Sequence, residues 1–404
     1  MTIRSGVDQP HLQALKLRRR PAAAGLAVGL ALAAAAIGGM PAASLAGPPG
    51  KPADKFACTR ITSHGAVAND LGDDTAAIQQ AVNAAKTTSA KCVFVPSGTF
   101  RITRFTIDGG VKMVGNRNNS VLFAPSPANR QVKLNGIGAG IYSLKLLTYG
   151  TQRTNNNEGI WIEGGASNWV VDDLTIDGGN GPGIITYGAF NGRITRNRVS
   201  NTKSDSIHIS GGAHHIYVAG NKVRNSGDDN IAVVTYGYHP VNTYQVLIEN
   251  NDVGDHPWGR GITVVGGEHV TIRNNVVTRS SDAGIYIAAE SSWATRGVKN
   301  VLVSRNRLDD CPYAHPEHGQ PSIEVYSDNN FWIEDVLLDA NTITRGRNGP
   351  VRVRPRNTSN IACRGNTSDG VSIAPAYCGG NPYRVTGTTV TSALLGGGTE
   401  PLPN

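Results

Sequence analysis

Charge, aromatic rings and helical patterning are all scarce in this 404-residue chain. Charged residues make up 17% of it and aromatic residues 6%. No Lys/Arg run with interleaved aromatics follows residue 46, which argues against a nucleic-acid partner. No helical pattern of ten residues follows residue 100, which excludes a doubly wound α/β fold, because that fold needs a helix between successive strands. The cysteines form no CxxC or Cys/His pair of zinc spacing. The apolar run 22–37 is shorter than a comfortable membrane span, so no stable membrane anchor is expected.

What is present is glycine, 49 residues of it, together with much Asn, Thr, Val and Ile, a mixture that favours strands joined by tight turns. The formal charge of +8 is partly concentrated in Arg4, Lys16 and Arg18 to Arg20. That basic stretch, the small apolar run behind it and Ser44-Leu45-Ala46 read as a secretion signal over residues 1–46. The expected location is therefore secreted, extracellular or periplasmic. Residues 47–55 read as a disordered lead-in, 56–383 as one catalytic domain, and 384–404 as a flexible tail. Export permits disulfides. Cys58 with Cys92, and Cys363 with Cys378, would staple the two ends of the domain, leaving Cys311 over.

The strongest signal is a repeat. An Asn-x-apolar motif recurs at Asn197, Asn221, Asn251, Asn275, Asn306 and Asn341, and weakly at Asn366. A second series runs in phase: Ile160-Ile162, Ile184, Ile207-Ile209, Ile231-Val233, Ile262-Val264, Ile285-Ile287, Ile323-Val325 and Val351-Val353. The base period is 24 residues with insertions, against about 40 for a propeller blade. One such unit cannot bury its apolar side alone, whereas stacked units can. The prediction is an all-β fold, a right-handed parallel β-helix. A capping helix over Asp73 to Lys86, with Ile78, Val82 and Ala85 as its apolar face, should close the N-terminal end.

Stacking also predicts the site. The first outward residues beside each Ile pair include Trp161, His208, Tyr286 and Glu324. Extra residues at Tyr236 to Tyr244, Asp255 to Gly259, Ser291 to Arg296 and Pro312 to Gln320 should rise as walls, carrying aromatics such as Trp258 and imidazoles such as His256. Such loops on a rigid scaffold carry function, and aromatic rings stack on sugar faces. Asp205 and Asp229 lie one coil apart with Asp228 beside them. Three acids so close cannot all ionise cheaply, so one should hold its proton. A protonated acid beside an ionised one suits glycoside hydrolysis. A turn ladder or a calcium site is the structural alternative. Asp205 and Asp229 face outward only if the chain bends at Ser206 and Asn230.

The segment 69–85 (NDLGDDTAAIQQAVNAA) resembles the N-terminal stretch of pectate-lyase-like β-helix enzymes. Lys203 to Ser210 and Ser226 to Val233 resemble two signatures of the polygalacturonases, glycoside hydrolase family 28. Those signatures are Asn-Thr-Asp-Gly and Gly-Asp-Asp-Cys. The resemblance implies that Asp228 is the general acid and that Asp205 and Asp229 hold and deprotonate the attacking water, with inversion. It also departs from the family. Gly259-Arg260-Gly261 stands where a Gly-His-Gly is usual, and Tyr286-Ile287-Ala288 where an Arg-Ile-Lys grips the uronate. Arg260 is then the candidate for carboxylate or hydroxyl binding, and His208 or His256 for the missing imidazole.

The expected function is a monomeric hydrolase of a polysaccharide, with no cofactor and no metal; an acidic polysaccharide suits the mild positive excess. A lyase or uronate epimerase of the same architecture is the first alternative. It would use the three acids as Ca²⁺ ligands and a base near Arg260 or Tyr286. A non-catalytic glycan-binding β-helix is the second.

Overall fold

The computed structural model describes residues 55–328, 330–354 and 356–374. The expected signal, most of the lead-in, the tail and Cys378 lie outside the described residues. Among the described residues no helix is long and apolar enough to cross a membrane.

Each coil contributes three short strands. The first strands form a ten-stranded parallel ladder from Arg104–Ile107 to Val351–Val353. Its register aligns Ile184, Ile207, Ile231, Ile262, Ile285, Ile323 and Val351. The second and third strands of the coils join into one 22-stranded sheet. Paired strands are parallel throughout except that Thr367–Ser368 pairs antiparallel with Val371–Ser372. The chain is therefore a parallel β-helix, as the period requires.

The core follows from alternation. Ile207, Ile209, Ile231, Val233, Ile262 and Val264 are fully buried, and a single apolar cluster runs from Ile61 to Ile373. Burying each such side chain is worth about 1.5–3 kcal/mol.

The turn between second and third strands is built on asparagine. The Asn197 N–H and Nδ2 donate to Asn221 Oδ1 at 2.9 and 3.0 Å. The same pair of bonds repeats through Asn251, Asn275, Asn306 and Asn341 to Asn366. The residue before each ladder asparagine is left-handed: Arg196, Gly220, Asn250, Asn274, Arg305, Ala340 and Gly365. Most of these are not glycine, and the stacked bonds offset that local cost.

The capping helix runs Thr75–Ala85 and buries Ile78, Ala81, Val82 and Ala85. Asp73, one residue before the N-cap Asp74, accepts the Thr75 N–H at 2.9 Å. Asp74 instead accepts from the Val67 and Arg101 amides. A Cys58–Cys92 disulfide closes the segment that contains the helix. Cys363 is also disulfide-bonded, and Cys311 is buried and free.

One expected insertion is absent. Ile262 follows Gly254 by 8 positions, against 7 from Arg224 to Ile231, so Asp255 to Gly259 is almost a standard link. A long link occurs instead at 148–159, where Ile160 follows Leu147 by 13 positions.

Candidate active site

The acids face outward because their neighbours turn inward. Ser206 and Asn230 are fully buried. Ser206 shares a 2.7 Å bond with Ser226, and Asn230 Nδ2 donates to Ser226 at 2.7 Å. This polar knot is the bend that strict alternation lacks, and it turns Asp205 and Asp229 into a cleft. Close coil contact there needs glycine. A Cβ on Gly227 would meet the Lys203 backbone at 2.5 Å, and one on Gly259, at φ +86, would meet the Asp228 backbone at 2.5 Å.

Asp205, Asp228 and Asp229 each offer a carboxylate oxygen within 4.8 Å of the others. Asp205 Oδ2 lies 2.6 Å from His208 Nδ1, and Asp205 Oδ1 accepts the Asp229 N–H at 3.1 Å. Asp229 accepts the Arg260 N–H at 2.8 Å and the Thr263 hydroxyl at 2.9 Å. Asp228 Oδ2 lies 2.5 Å from Arg153 Nη1. Burial, then the Asp205 charge, raise the Asp228 pKa despite Arg153. Burial, then the Asp228 charge, raise Asp229 well above the usual carboxylate range despite Arg260.

Arg260 is held from behind. Its guanidinium lies 4.5 Å over the Tyr286 ring and 3.3 Å from Glu290 Oε1, the oxygen to which the Tyr286 hydroxyl donates at 3.1 Å. Burial opposes the Arg260 charge, but Asp229 and Glu290 hold it more firmly protonated than usual.

The cleft has a volume of about 270 Å³. Tyr236, Trp293 and Thr295 form one wall, tied together by a Tyr236–Thr295 bridge. Trp258 forms the other and lies 5.2 Å from His315 and 5.6 Å from His318, ring to ring. Trp258 and Trp293 are each about half exposed, at 51% and 50%.

The remaining expected residues divide. His208, Arg260 and Trp258 line the cleft. Trp161 shares the outward face of the same ladder, in register with Ile185 and, one coil further, His208, but does not line the cleft. Three expectations need correction. Tyr286 is buried and supports Arg260 rather than presenting a ring to a ligand. Glu324 is 1% exposed and pairs with Arg352 and Arg354 at 2.6 and 2.9 Å, so its carboxylate is spent on those two cations. His256 is buried away from the cleft lining, and burial pushes its pKa down to about 4, which keeps it neutral.

Arg153 and Glu290 were missed. Arg153 rides on the 148–159 link, and its signal was the length of that link, visible only once the strand ends are known. Glu290 directly follows the strand Ile285–Ala289 in ordinary spacing and carries no sequence signal.

Among solved structures, a GH87 α-1,3-glucanase catalytic domain, an aspartate variant in complex with tetrasaccharides, aligns at a TM-score of 0.63 and 16% identity. The alignment covers 81% of this chain and 60% of that one, so this chain spans less than two thirds of that structure. The A-module of an Azotobacter vinelandii mannuronan C-5 epimerase aligns at 0.59 and 15% identity, covering 77% of this chain and 96% of that one. PfbA, a surface adhesin of Streptococcus pneumoniae, aligns at 0.55 and 13% identity, covering 77% and 90%. At these identities the likeness is one of fold. No curated protein matches at the sequence level. The family model described as right handed beta helix region matches residues 93–253, 158–343 and 241–393, which together take in most of the chain. The protein therefore belongs to the right-handed β-helix family.

Proposed function

We propose that the chain is an exported polysaccharide-degrading glycoside hydrolase in which Asp228 protonates the leaving oxygen while Asp205 and Asp229 hold and deprotonate the attacking water. The observation that carries this reading is the convergence of three carboxylates in one aromatic-walled cleft. Burial raises the pKa of both Asp228 and Asp229, which favours a retained proton of the kind that acid catalysis of glycosidic cleavage needs. The polygalacturonase likeness assigns the acid role to Asp228, whose counter-charge, Arg153, is 49% exposed on a long link. The counter-charge of Asp229, Arg260, is packed on Tyr286 and anchored by Glu290. Arg260 and Trp258 would hold the sugar. Tetrasaccharides bound to a glucanase of the same fold support an oligosaccharide-sized ligand.

The common spacing for inversion is about 6.5–9.5 Å between single carboxyl groups, wider than this cluster. Inversion here rests on a pair of acids sharing the water, as the polygalacturonase likeness implies. The test is incubation with a panel including α-1,3-glucan, polygalacturonate and alginate. New reducing ends without an ultraviolet chromophore, with the first product in the inverted anomeric form by NMR, are expected. A chromophore of unsaturated uronate, or turnover that survives Asp228→Asn, would overturn the reading. Sequencing the N-terminus of the exported protein checks the signal, with cleavage expected after Ala46.

The epimerase of the same fold keeps a second reading, elimination or epimerisation with a cation held by the three acids. Tyr286 is a poor base for it. Burial, then Glu290, push its pKa up, and its hydroxyl already donates to Glu290. Loss of activity with a chelator would favour this second reading.

A further inference from the structure

Leading away from the acids, the outward face of the first ladder and the loop after the strand Ile231–Val234 carry a run of aromatic rings that the chemistry does not use. Trp161 and Tyr187 lie nearly parallel, with ring centroids 6.1 Å apart and an interplanar angle of 18°. Tyr187 packs edge-on against the His239 ring at 5.2 Å, and His239 packs edge-on against Tyr238 at 4.5 Å. Tyr238 stacks on Tyr236 at 5.5 Å and 5°, and Tyr236 lines the acid cleft. The run is therefore continuous from the acids toward the N-terminal end of the solenoid.

Two further features fit a ligand rather than packing alone. Tyr238 is 73% exposed, so its ring is held at the surface by its neighbours and not by a core. The Tyr187 ring lies against Gly211, where an added Cβ would sit 2.8 Å from it. That glycine lets the ring lie flat on the coil instead of standing off it. At the far end, Lys133 is in register with Trp161 and pairs with Glu163 at 3.0 Å, so polar groups flank the last ring. Trp161 and His208 are two coils apart, roughly 10 Å along the axis at the strand spacing. That is room for more than one sugar ring beyond the bond that is cut.

We propose that Trp161, Tyr187, Tyr238 and Tyr236 form a sugar-binding track that holds the glycan on the N-terminal side of the acids. This rests on the polysaccharide reading above and deepens it: the protein would select long chains over short glycosides. Aromatic faces paired with hydroxyls match the alternating C–H faces and hydroxyl rims of a glycan. A folded protein partner would need a broad dry patch, and this run is one ring wide.

The experiment uses the full exported chain carrying Asp228→Asn, so that ligand is not consumed, and calorimetry with short and long oligosaccharides of α-1,3-glucan, polygalacturonate and alginate. Trp161→Ala and Tyr238→Ala are added separately, with Trp161→Phe as the conservative partner. Affinity is expected to rise with oligomer length. Each alanine change should weaken long-oligomer binding by about tenfold, the loss growing with length, and Trp161→Phe should restore part of it. Unaltered length dependence in both alanine variants would overturn the track. So would a lower melting temperature with binding intact, which would make the stacking structural only. If the long oligomers bind through these rings but the unsubstituted chain never cleaves them, the hydrolase reading falls and the track stands. If the chain cleaves a polysaccharide and the alanine variants bind it as before, the reverse holds. Absence of binding to the whole panel overturns both.

Discussion

Asp229 donates its backbone N–H to Asp205 Oδ1 at 3.1 Å, across one coil of the solenoid. The bond fixes two acids from neighbouring coils and leaves Asp228, next in the chain, to meet them from the side. Replacing Asp228 by Asn keeps the shape and removes the proton donor. Turnover on the substrate found by the panel should fall by about 10²–10⁴-fold, while thermal melting stays close to that of the parent. Asp205→Asn should lose turnover on the same scale. Initial rates with a melting curve for each variant check both.

Arg153 and Asp205 act on Asp228 with opposite signs. The Arg153 cation favours ionised Asp228 and lowers its pKa, whereas the Asp205 charge raises it. A general acid is active only while protonated, so activity falls as pH rises through its pKa. Arg153→Ala should therefore shift the alkaline limb of kcat/KM to higher pH. Residual activity of Asp205→Asn should show a limb shifted to lower pH. A limb that stays in place in both variants would separate Asp228 from the acid role. A pH–rate profile of the two variants beside the parent decides it.

The legible parts of this molecule were those that repeat. Ile207, Ile231 and Ile262, and Asn221, Asn251 and Asn275, each occupy one structural role many times, so their spacing alone reveals the register. The acids were legible because they sit in that register. What was not legible depends on where a side chain goes after leaving it. Glu324 and Tyr286 occupy outward positions, yet Arg352 and Arg354 cover one and Arg260 covers the other, and no period encodes such neighbours. Arg153 reaches Asp228 from 75 positions away through an irregular link. His256 looked like a wall residue because the step between coils was read as an insertion, whereas the link is near its standard length and buries His256.

The asparagine ladder should be costly to interrupt at its middle. Asn251 Oδ1 accepts both the N–H and the Nδ2 of Asn221 at 2.9 Å, and its own Nδ2 donates to Val218 O at 3.0 Å. Asn251→Ala strands buried donors and an acceptor together, at about 1–3 kcal/mol for each such group. Asn201 is exposed and bonds only at the surface, to Asp177 and Asn225. Asn201→Ala should cost about 1 kcal/mol, chiefly because Ala tolerates the left-handed backbone at φ +59 less well than Asn. Urea unfolding of the two variants should show the larger midpoint drop for Asn251.

Buried His256 should make the solenoid acid-sensitive. Burial holds its folded pKa down to about 4, from an ordinary value of 6.5. Between those values the unfolded chain takes up a proton that the folded chain refuses. Stability is thus intact above about pH 6.5 and falls as pH drops toward 4, by at most about 3 kcal/mol from this group. Asp228 and Asp229 pull the other way, since their raised folded pKa values make the folded state the better proton acceptor as pH falls. Their contribution is common to parent and variant, and so is that of His214 and His215, which burial also lowers. The difference between parent and His256→Gln therefore isolates the imidazole. The free energy of unfolding, measured from pH 7 to pH 4, should fall less steeply in His256→Gln, whatever its offset at pH 7. Parallel curves would mean that His256 takes up its proton in the folded protein as readily as in the unfolded one.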